Sequence, residues 1–141
     1  MIHKLAVQTP PGDSLVDITA AVNATVQQSQ VKEGICVLFA PHTTAALTIN
    51  SAMDANTVKD VVAEVRRLVP TRVDFHHIFD TPADAAGHIK AVLVGGSQTL
   101  IVSGGELLLG HSQSIFLYEF DGPRSRQVIV RVLADCDQGS V

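Results

Sequence analysis

The chain has 141 residues and a formal net charge of −4 at pH 7, a length that fits one domain with its own core. The acidic balance argues against a nucleic-acid binder, and no apolar run approaches the roughly 20 residues that cross a bilayer, so we expect neither nucleic acid nor membrane as a partner. Charged residues make up only 17% of the chain, against about 25% in an average soluble domain, which favours a homo-oligomer with covered surface.

Apolar alternation, short apolar runs and breaker residues predict seven strands. In chain order they cover residues 2–8, 35–40, 43–50, 99–102, 106–109, 114–120 and 127–133. Gly104-Gly105 lies between two of them and is a strong signal for a two-residue hairpin. Val128, Val130 and Val132 alternate along the last strand, so they are predicted to share one face.

Three helices are predicted between these strands. Ser14 and Asp17 have the spacing of a capping box, which indicates a helix that begins near Ser14. Its apolar residues recur at helical spacing: Leu15, Ile18, Val22 and Val26. Asp54 is expected to cap the second helix and Pro70 to end it. That helix has one apolar face: Val58, Val61, Val62, Val65 and Leu68.

The third helix is expected to be short, with Asp84 as a plausible cap and Gly95-Gly96 at its end. Ile89, Val92 and Leu93 are predicted to point inward. Interleaved elements and C-terminal hairpins together predict an α+β fold. We expect a single compact domain over residues 1–141, with mixed, mostly antiparallel β-sheets, two main helices and one short helix.

Cysteine usage indicates a reducing compartment. Cys36 lies inside an apolar run and is predicted to be a small buried hydrophobic residue, and Cys136 is far from it in sequence. This pair predicts no disulfide framework, and the first residues lack the apolar stretch of a signal peptide. We therefore expect a cytoplasmic protein.

Histidine is the most informative residue type for function. Four of the six histidines fall at or near predicted element ends: His42, His77, His88 and His111. Neutral imidazole is the commonest zinc ligand, and three protein ligands plus water would leave an open position. Asp80 and Asp84 are near enough in sequence to be a further ligand or to orient an imidazole. The alternatives are hydrogen-bonded structural histidines and, for Asp84, a helix cap.

Basic residues form the second candidate constellation. Arg124 and Arg126 are two residues apart, so in an extended segment both point to one side, and Lys90 could join them. Such a cluster suits a phosphate or a carboxylate. The alternative is a solvated turn in which the arginines pair with Glu119 or Asp121.

The segment Pro41-His42-Thr43-Thr44-Ala45-Ala46-Leu47-Thr48-Ile49-Asn50 resembles the signature of the YjbQ-like family of small proteins. The similarity covers nearly the whole chain, and its downstream motifs keep their order. They are His77, Asp84, His88-Ile89-Lys90, Leu93, Gly95, Leu109-Gly110, Gln113, Glu119-Phe120-Asp121-Gly122-Pro123-Arg124 and Arg126.

The resemblance implies a trimer of α+β subunits that acts as a secondary thiamine-phosphate synthase. Such a transferase joins a pyrimidine diphosphate to a thiazole phosphate with release of pyrophosphate, assisted here by a divalent metal such as zinc or magnesium. By matching position it implies catalytic or metal-binding roles for His42, His77 and His88, with Asp84 as a supporting metal ligand. Four further residues are the candidates for binding the phosphorylated substrate: Lys90, Gln113, Arg124 and Arg126, of which the two arginines fall in the family's terminal motif.

Three positions depart from the family pattern. Ser51 replaces an acidic residue, and His111-Ser112 replaces Thr-Trp in the motif before Gln113. The expected compensation for the lost acid is His111 as an accessory ligand. These departures keep open a non-catalytic trimer that binds a metal or a small anion, and a structural trimer whose histidines only pack. Because His42 is far in sequence from His77 and His88, we expect a site shared between subunits.

Overall fold

Eight strands and three helices follow one another in a computed structural model that describes residues 1–136. The strands are β1 Ile2–Gln8, β2 Gly12–Asp17, β3 Gly34–Phe39, β4 Ala45–Asn50, β5 Ser97–Ser103, β6 Glu106–Leu107, β7 Ser114–Gly122 and β8 Ser125–Ala134. The helices are α1 Thr19–Ser29, α2 Ala55–Leu68 and α3 Pro82–Val94.

The strands form two antiparallel sheets. The five-stranded sheet has the order β1-β8-β3-β5-β6, and the three-stranded sheet has the order β2-β7-β4. In the first sheet Cys36 of β3 lies opposite Leu100 of β5 and Val132 of β8. In the second, Leu117 of β7 lies opposite Val16 and Leu47. The predicted α+β class with mostly antiparallel sheets is confirmed.

The main core lies between the two sheets and α1. It contains Val22 and Val26 of α1, together with inward-facing residues of both sheets: Cys36, Leu38, Leu47, Leu117, Val128 and Val130. A second cluster lies on the other side of the three-stranded sheet, where Tyr118 and Phe120 contact apolar residues of α2 and α3. Strand β7 is therefore buried on both faces, which explains its continuous apolar run.

The N-terminal half contains a strand where a helix start was predicted. Residues 12–17 pair with β7, and Ser14 lies opposite Glu119. The helix begins only at Thr19, where the Asp17 carboxylate accepts hydrogen bonds from the Thr19 amide at 2.9 Å and its hydroxyl at 2.6 Å. The prediction of a capping box at Ser14 was wrong, because strand pairing to β7 takes up this segment.

Helix α3 differs from its prediction in both its cap and its buried face. Thr81 is the N-cap, and its hydroxyl accepts from the Asp84 amide at 3.1 Å. The apolar residues expected inside are outside, with Val92 83% exposed. The helix instead buries Asp84, Lys90 and three small residues, Ala85, Ala86 and Gly87, and a Cβ on Gly87 would lie 3.3 Å from the Cβ of Phe120. Close approach of the backbones selects this face over the larger apolar one. With 13 residues, α3 is also longer than expected.

Several local predictions are confirmed. The Asp54 carboxylate caps α2 by accepting from the Asn56 amide at 2.8 Å. Gly104 and Gly105 join β5 to β6 with positive φ angles of 63° and 83°, as a tight hairpin turn requires. Cys36 is fully buried, which raises the pKa of its thiol to about 11. Among the helices of residues 1–136, none combines the length and apolarity of a membrane crossing.

Gly34 provides a test of the strand packing. A Cβ at this position would lie 2.0 Å from the carbonyl oxygen of Leu133, whereas one at Gly96 would meet nothing nearer than 3.8 Å. We predict that Gly34→Ala lowers the free energy of unfolding by about 3 kcal/mol, because β3 and β8 must separate. Urea unfolding of this variant beside Gly96→Ala measures the difference; equal losses would contradict the registered pairing of β3 with β8.

Candidate functional site

Helix α3 and the segment before it bring three candidate ligands together. Asp84 and His88 are four residues apart on α3 and so lie on one face of the helix. His77 precedes the helix and turns back toward that face. The Nε2 atoms of His77 and His88 each lie 3.1 Å from the same Asp84 oxygen, Oδ1. One ligand atom from each of the three residues lies within 4.8 Å of the others.

The cluster has a buried carboxylate and two accessible imidazoles. The Asp84 side chain is 9% exposed, whereas those of His77 and His88 are 40% and 41% exposed. The two rings meet edge to face, with their centroids 5.1 Å apart. Burial acts to raise the pKa of Asp84, but hydrogen bonds from its neighbours and the charge of His88 outweigh it, so the pKa is lowered. Asp84 is therefore an anion at neutral pH.

Asp121 lies beside Asp84 at the end of β7. Burial and the Asp84 charge raise the pKa of Asp121 against the opposing effect of Arg124. Arg124 donates to the Asp121 carboxylate at 2.7 Å and to its backbone carbonyl at 3.1 Å. A line of charged groups thus runs from exposed Arg124 to the buried carboxylate of the cluster. Sequence reasoning considered Asp121 only as a partner for an arginine.

His42 is outside this cluster. The Gln127 amide donates to His42 Nε2 at 2.9 Å, which requires that nitrogen to be unprotonated. The same Nε2 also lies 3.1 Å from the Gln127 carbonyl, but a nitrogen that accepts an N–H bond has no proton to donate there. Burial and the charge of Arg126 lower the pKa of His42, so its imidazole is neutral. His42 fastens the segment between β3 and β4 to the start of β8.

Arg126 lies in a buried ion pair. It donates to Glu119 at 2.6 Å and to the Thr44 hydroxyl at 2.8 Å, and Glu119 is completely buried. Glu119 also accepts from the Thr9 hydroxyl at 2.6 Å. Burial acts to raise the pKa of Glu119, but its hydrogen bonds and the Arg126 charge lower it overall. These hydrogen bonds connect the residue after β1 and the residue before β4 to strands β7 and β8.

Carboxylates neutralise the three basic residues of the predicted cation cluster. Each basic residue pairs with a different carboxylate: Lys90 with Asp13 at 2.6 Å, Arg124 with Asp121 at 2.7 Å, and Arg126 with Glu119 at 2.6 Å. The alternative prediction of pairing to Glu119 and Asp121 is what the structure contains, although Arg126 is buried rather than solvated. Because Lys90 is only 2% exposed, its charge neutralises Asp13 and is not accessible to a ligand from solvent.

The remaining candidates lie in local turns. The Gln113 side-chain oxygen accepts from the Gly110 amide at 2.8 Å and so closes its own turn. His111 is exposed in that turn and is not part of the His77–Asp84–His88 cluster. Ser51 accepts from the Met53 amide at 3.2 Å at the approach to α2.

A cavity of about 460 Å³ opens beside the cluster. His77 and His88 line it together with Phe75, His76, Ala85 and Ile89. Sequence reasoning missed Phe75 and His76, although an aromatic residue beside two histidines in a loop was a signal of a pocket wall. The cavity gives small molecules access to the imidazoles.

Residues 3–135 match the family model described as UPF0047 protein YjbQ-like. The chain belongs to this family. A UPF0047 protein of Methanocaldococcus jannaschii is 40% identical over 135 residues, which is 96% of each chain. YugU, a UPF0047 protein of Bacillus subtilis, is 34% identical over 133 residues, or 94% of this chain and 99% of its own. The crystal structure of a YbjQ-like protein of unknown function from Sulfolobus solfataricus is 32% identical, with a TM-score of 0.89 over 96% of this chain and 97% of its own.

The family membership corrects the expected activity of this YjbQ-like protein. The family and these relatives carry UPF0047 or unknown-function descriptions that name no reaction. They give no support to a thiamine-phosphate synthase, and that prediction was wrong. The engaged cations agree with the correction, because a diphosphate would have to displace the carboxylates that already neutralise them.

The buried Arg126–Glu119 pair predicts a pH-dependent contribution to stability. We expect Arg126→Gln to lower the free energy of unfolding near neutral pH by about 3 kcal/mol, because Glu119 is left buried and unpaired. Since the folded-state pKa of Glu119 is depressed, the stabilisation is present above its ordinary pKa of 4.5 and is lost as pH falls below that value.

Urea unfolding at pH values on both sides of 4.5 measures this difference. Arg124→Gln is the matched control, because Arg124 is exposed and its ion pair contributes about 0.5 kcal/mol. Equal destabilisation by the two substitutions, or a loss for Arg126→Gln that stays constant through the acid range, would contradict the buried pair.

Proposed function

We propose that this YjbQ-like protein binds a divalent metal ion through His77, Asp84 and His88. The observation that carries the proposal is the convergence of three ligand atoms within 4.8 Å. Two imidazole nitrogens and one carboxylate oxygen are a donor set that zinc prefers, whereas magnesium selects oxygen ligands. Zinc is therefore the proposed ion.

The distances in the cluster suit this ion. Zinc bonds to nitrogen and oxygen at about 2.0–2.2 Å, so neighbouring ligands of a tetrahedral ion are about 3.3 Å apart. Both histidine nitrogens are already 3.1 Å from Asp84 Oδ1. Because both histidine side chains are about two-fifths exposed, they can rotate to replace their bonds to Asp84 with bonds to the ion.

The surroundings support a site that keeps an open position. Three protein ligands leave a fourth position on a tetrahedral zinc ion, and the cavity of about 460 Å³ lies on the histidine side of the cluster. A bound ion would supply Lewis acidity to a ligand in that cavity. Asp121 contacts Asp84 and forms an ion pair with Arg124. Asp121 and Arg124 together therefore fix the position of the Asp84 carboxylate, which both imidazoles share.

Metal binding is testable by titration of untagged, chelator-treated protein with zinc. We expect one zinc ion per chain by isothermal titration calorimetry, and no comparable binding of magnesium. His77→Ala and His88→Ala should each weaken zinc affinity by about 100-fold or more, since loss of a direct ligand exceeds the 10–100-fold effect of outer partners.

His76→Ala is the matched control, because His76 lines the same cavity but is not part of the three-residue cluster. It should leave the zinc affinity within about twofold, since surface substitutions away from special contacts have small effects. Equal weakening by His76→Ala and His88→Ala, or unchanged zinc binding in the double variant of His77 and His88, would overturn the site.

We also propose that the chain associates with copies of itself through the outer face of the five-stranded sheet. Side chains at this face include several exposed apolar residues: Ile2, Phe39, Ile101 and Leu133. Such a face on a chain with only 17% charged residues is typical of a subunit interface. The resemblance implies three copies.

The outer-face proposal predicts a molar mass of three times the 15.0 kDa chain by light scattering after size exclusion. Phe39→Glu should shift the protein to lower mass while circular dichroism stays unchanged, because a charge would be buried at the interface. Val73→Glu, at an exposed apolar position in the segment between α2 and α3, should leave the mass unchanged. A wild-type mass of one chain would refute self-association.

A further inference from the structure

We propose that a second cavity, between β2 and α2, binds a small organic carboxylate with an apolar body. This β2–α2 cavity has a volume of about 400 Å³, within the range of small-molecule sites. Leu15 of β2 and Val58 and Val62 of α2 form its apolar wall. It shares no lining residue with the cavity beside the histidines.

Asp13 also lines the β2–α2 cavity, but its charge does not repel an anion. The buried ammonium of Lys90 lies 2.6 Å from this carboxylate and neutralises it.

The α2 side of the β2–α2 cavity also carries two cations. Lys59 and Arg66 line the cavity from α2, seven residues and therefore about two helical turns apart. Neither forms an ion pair with the part of the chain that the structure describes. Because Lys90 already neutralises Asp13, the charge around the cavity is positive overall. This sign selects an anion, and the length of the apolar wall selects one with a hydrocarbon body.

Two probes of equal chain length separate the charge from the hydrocarbon. Octanoate carries both, and octanamide lacks the charge. Isothermal titration calorimetry with the full chain at low salt should give a higher affinity for octanoate than for octanamide. Amide chemical shifts in nuclear magnetic resonance spectra should change in β2 and α2.

Variants at exposed cations test the charged wall without threatening the fold. Lys59→Gln combined with Arg66→Gln should weaken octanoate binding roughly fivefold, as expected for two exposed charge contacts. Arg67→Gln is the matched control, because Arg67 is the next residue along α2 and pairs with Glu64 instead of lining the cavity. It should leave octanoate binding unchanged.

Octanoate that binds no better than octanamide, or equal losses in the double variant and Arg67→Gln, would overturn the proposal. So would a failure of both probes to bind.

Discussion

The close contact between α3 and β7 sets the positions of both sites. Gly87 allows the helix backbone to approach Phe120 so closely that even a methyl group would be crowded. One turn toward the N-terminus, this approach holds Asp84 beside Asp121 at the end of β7. One turn toward the C-terminus, it places Lys90 over the Phe120 ring, from where the ammonium reaches Asp13.

Electrostatic pairing then divides the polar residues into structural and accessible groups. Arg126 and Lys90 are buried and satisfy carboxylates on neighbouring strands, so their main contribution is to hold the two sheets and α3 in register. The two imidazoles of the histidine cluster remain accessible, as do Lys59 and Arg66 of α2. Chemistry is therefore expected where polar groups lie next to a cavity, since the buried pairs have little capacity left for a ligand.

The sequence was most informative where structure is local. The hairpin at Gly104-Gly105 and the Asp54 cap follow from residue types at fixed offsets, and both are present. The spacing of Asp84 and His88 also predicts that they share a helix face. That His77 returns to this face depends on the path of the segment between α2 and α3, which no periodicity reveals.

Tertiary contacts account for the failed predictions. The Ser14 segment has a helix-start pattern, but pairing with the doubly buried β7 makes it a strand. The apolar residues of α3 suggested the wrong buried face, because the close contact with Phe120 at Gly87 leaves no room there for a larger side chain. By contrast, the site role of His42 stays a prediction: within one chain its Nε2 accepts from the Gln127 amide, a contact set by the strand register.

The central claim is that α3 and its preceding segment form a zinc site in a family whose members are described without an activity. The most direct measurement is anomalous diffraction on either side of the zinc absorption edge, from crystals of the full chain grown with zinc. We predict one anomalous peak at about 2.0–2.2 Å from Nε2 of His77, Nε2 of His88 and a carboxylate oxygen of Asp84. Zinc bound in the crystal at other residues, with no peak among these three, would contradict the account.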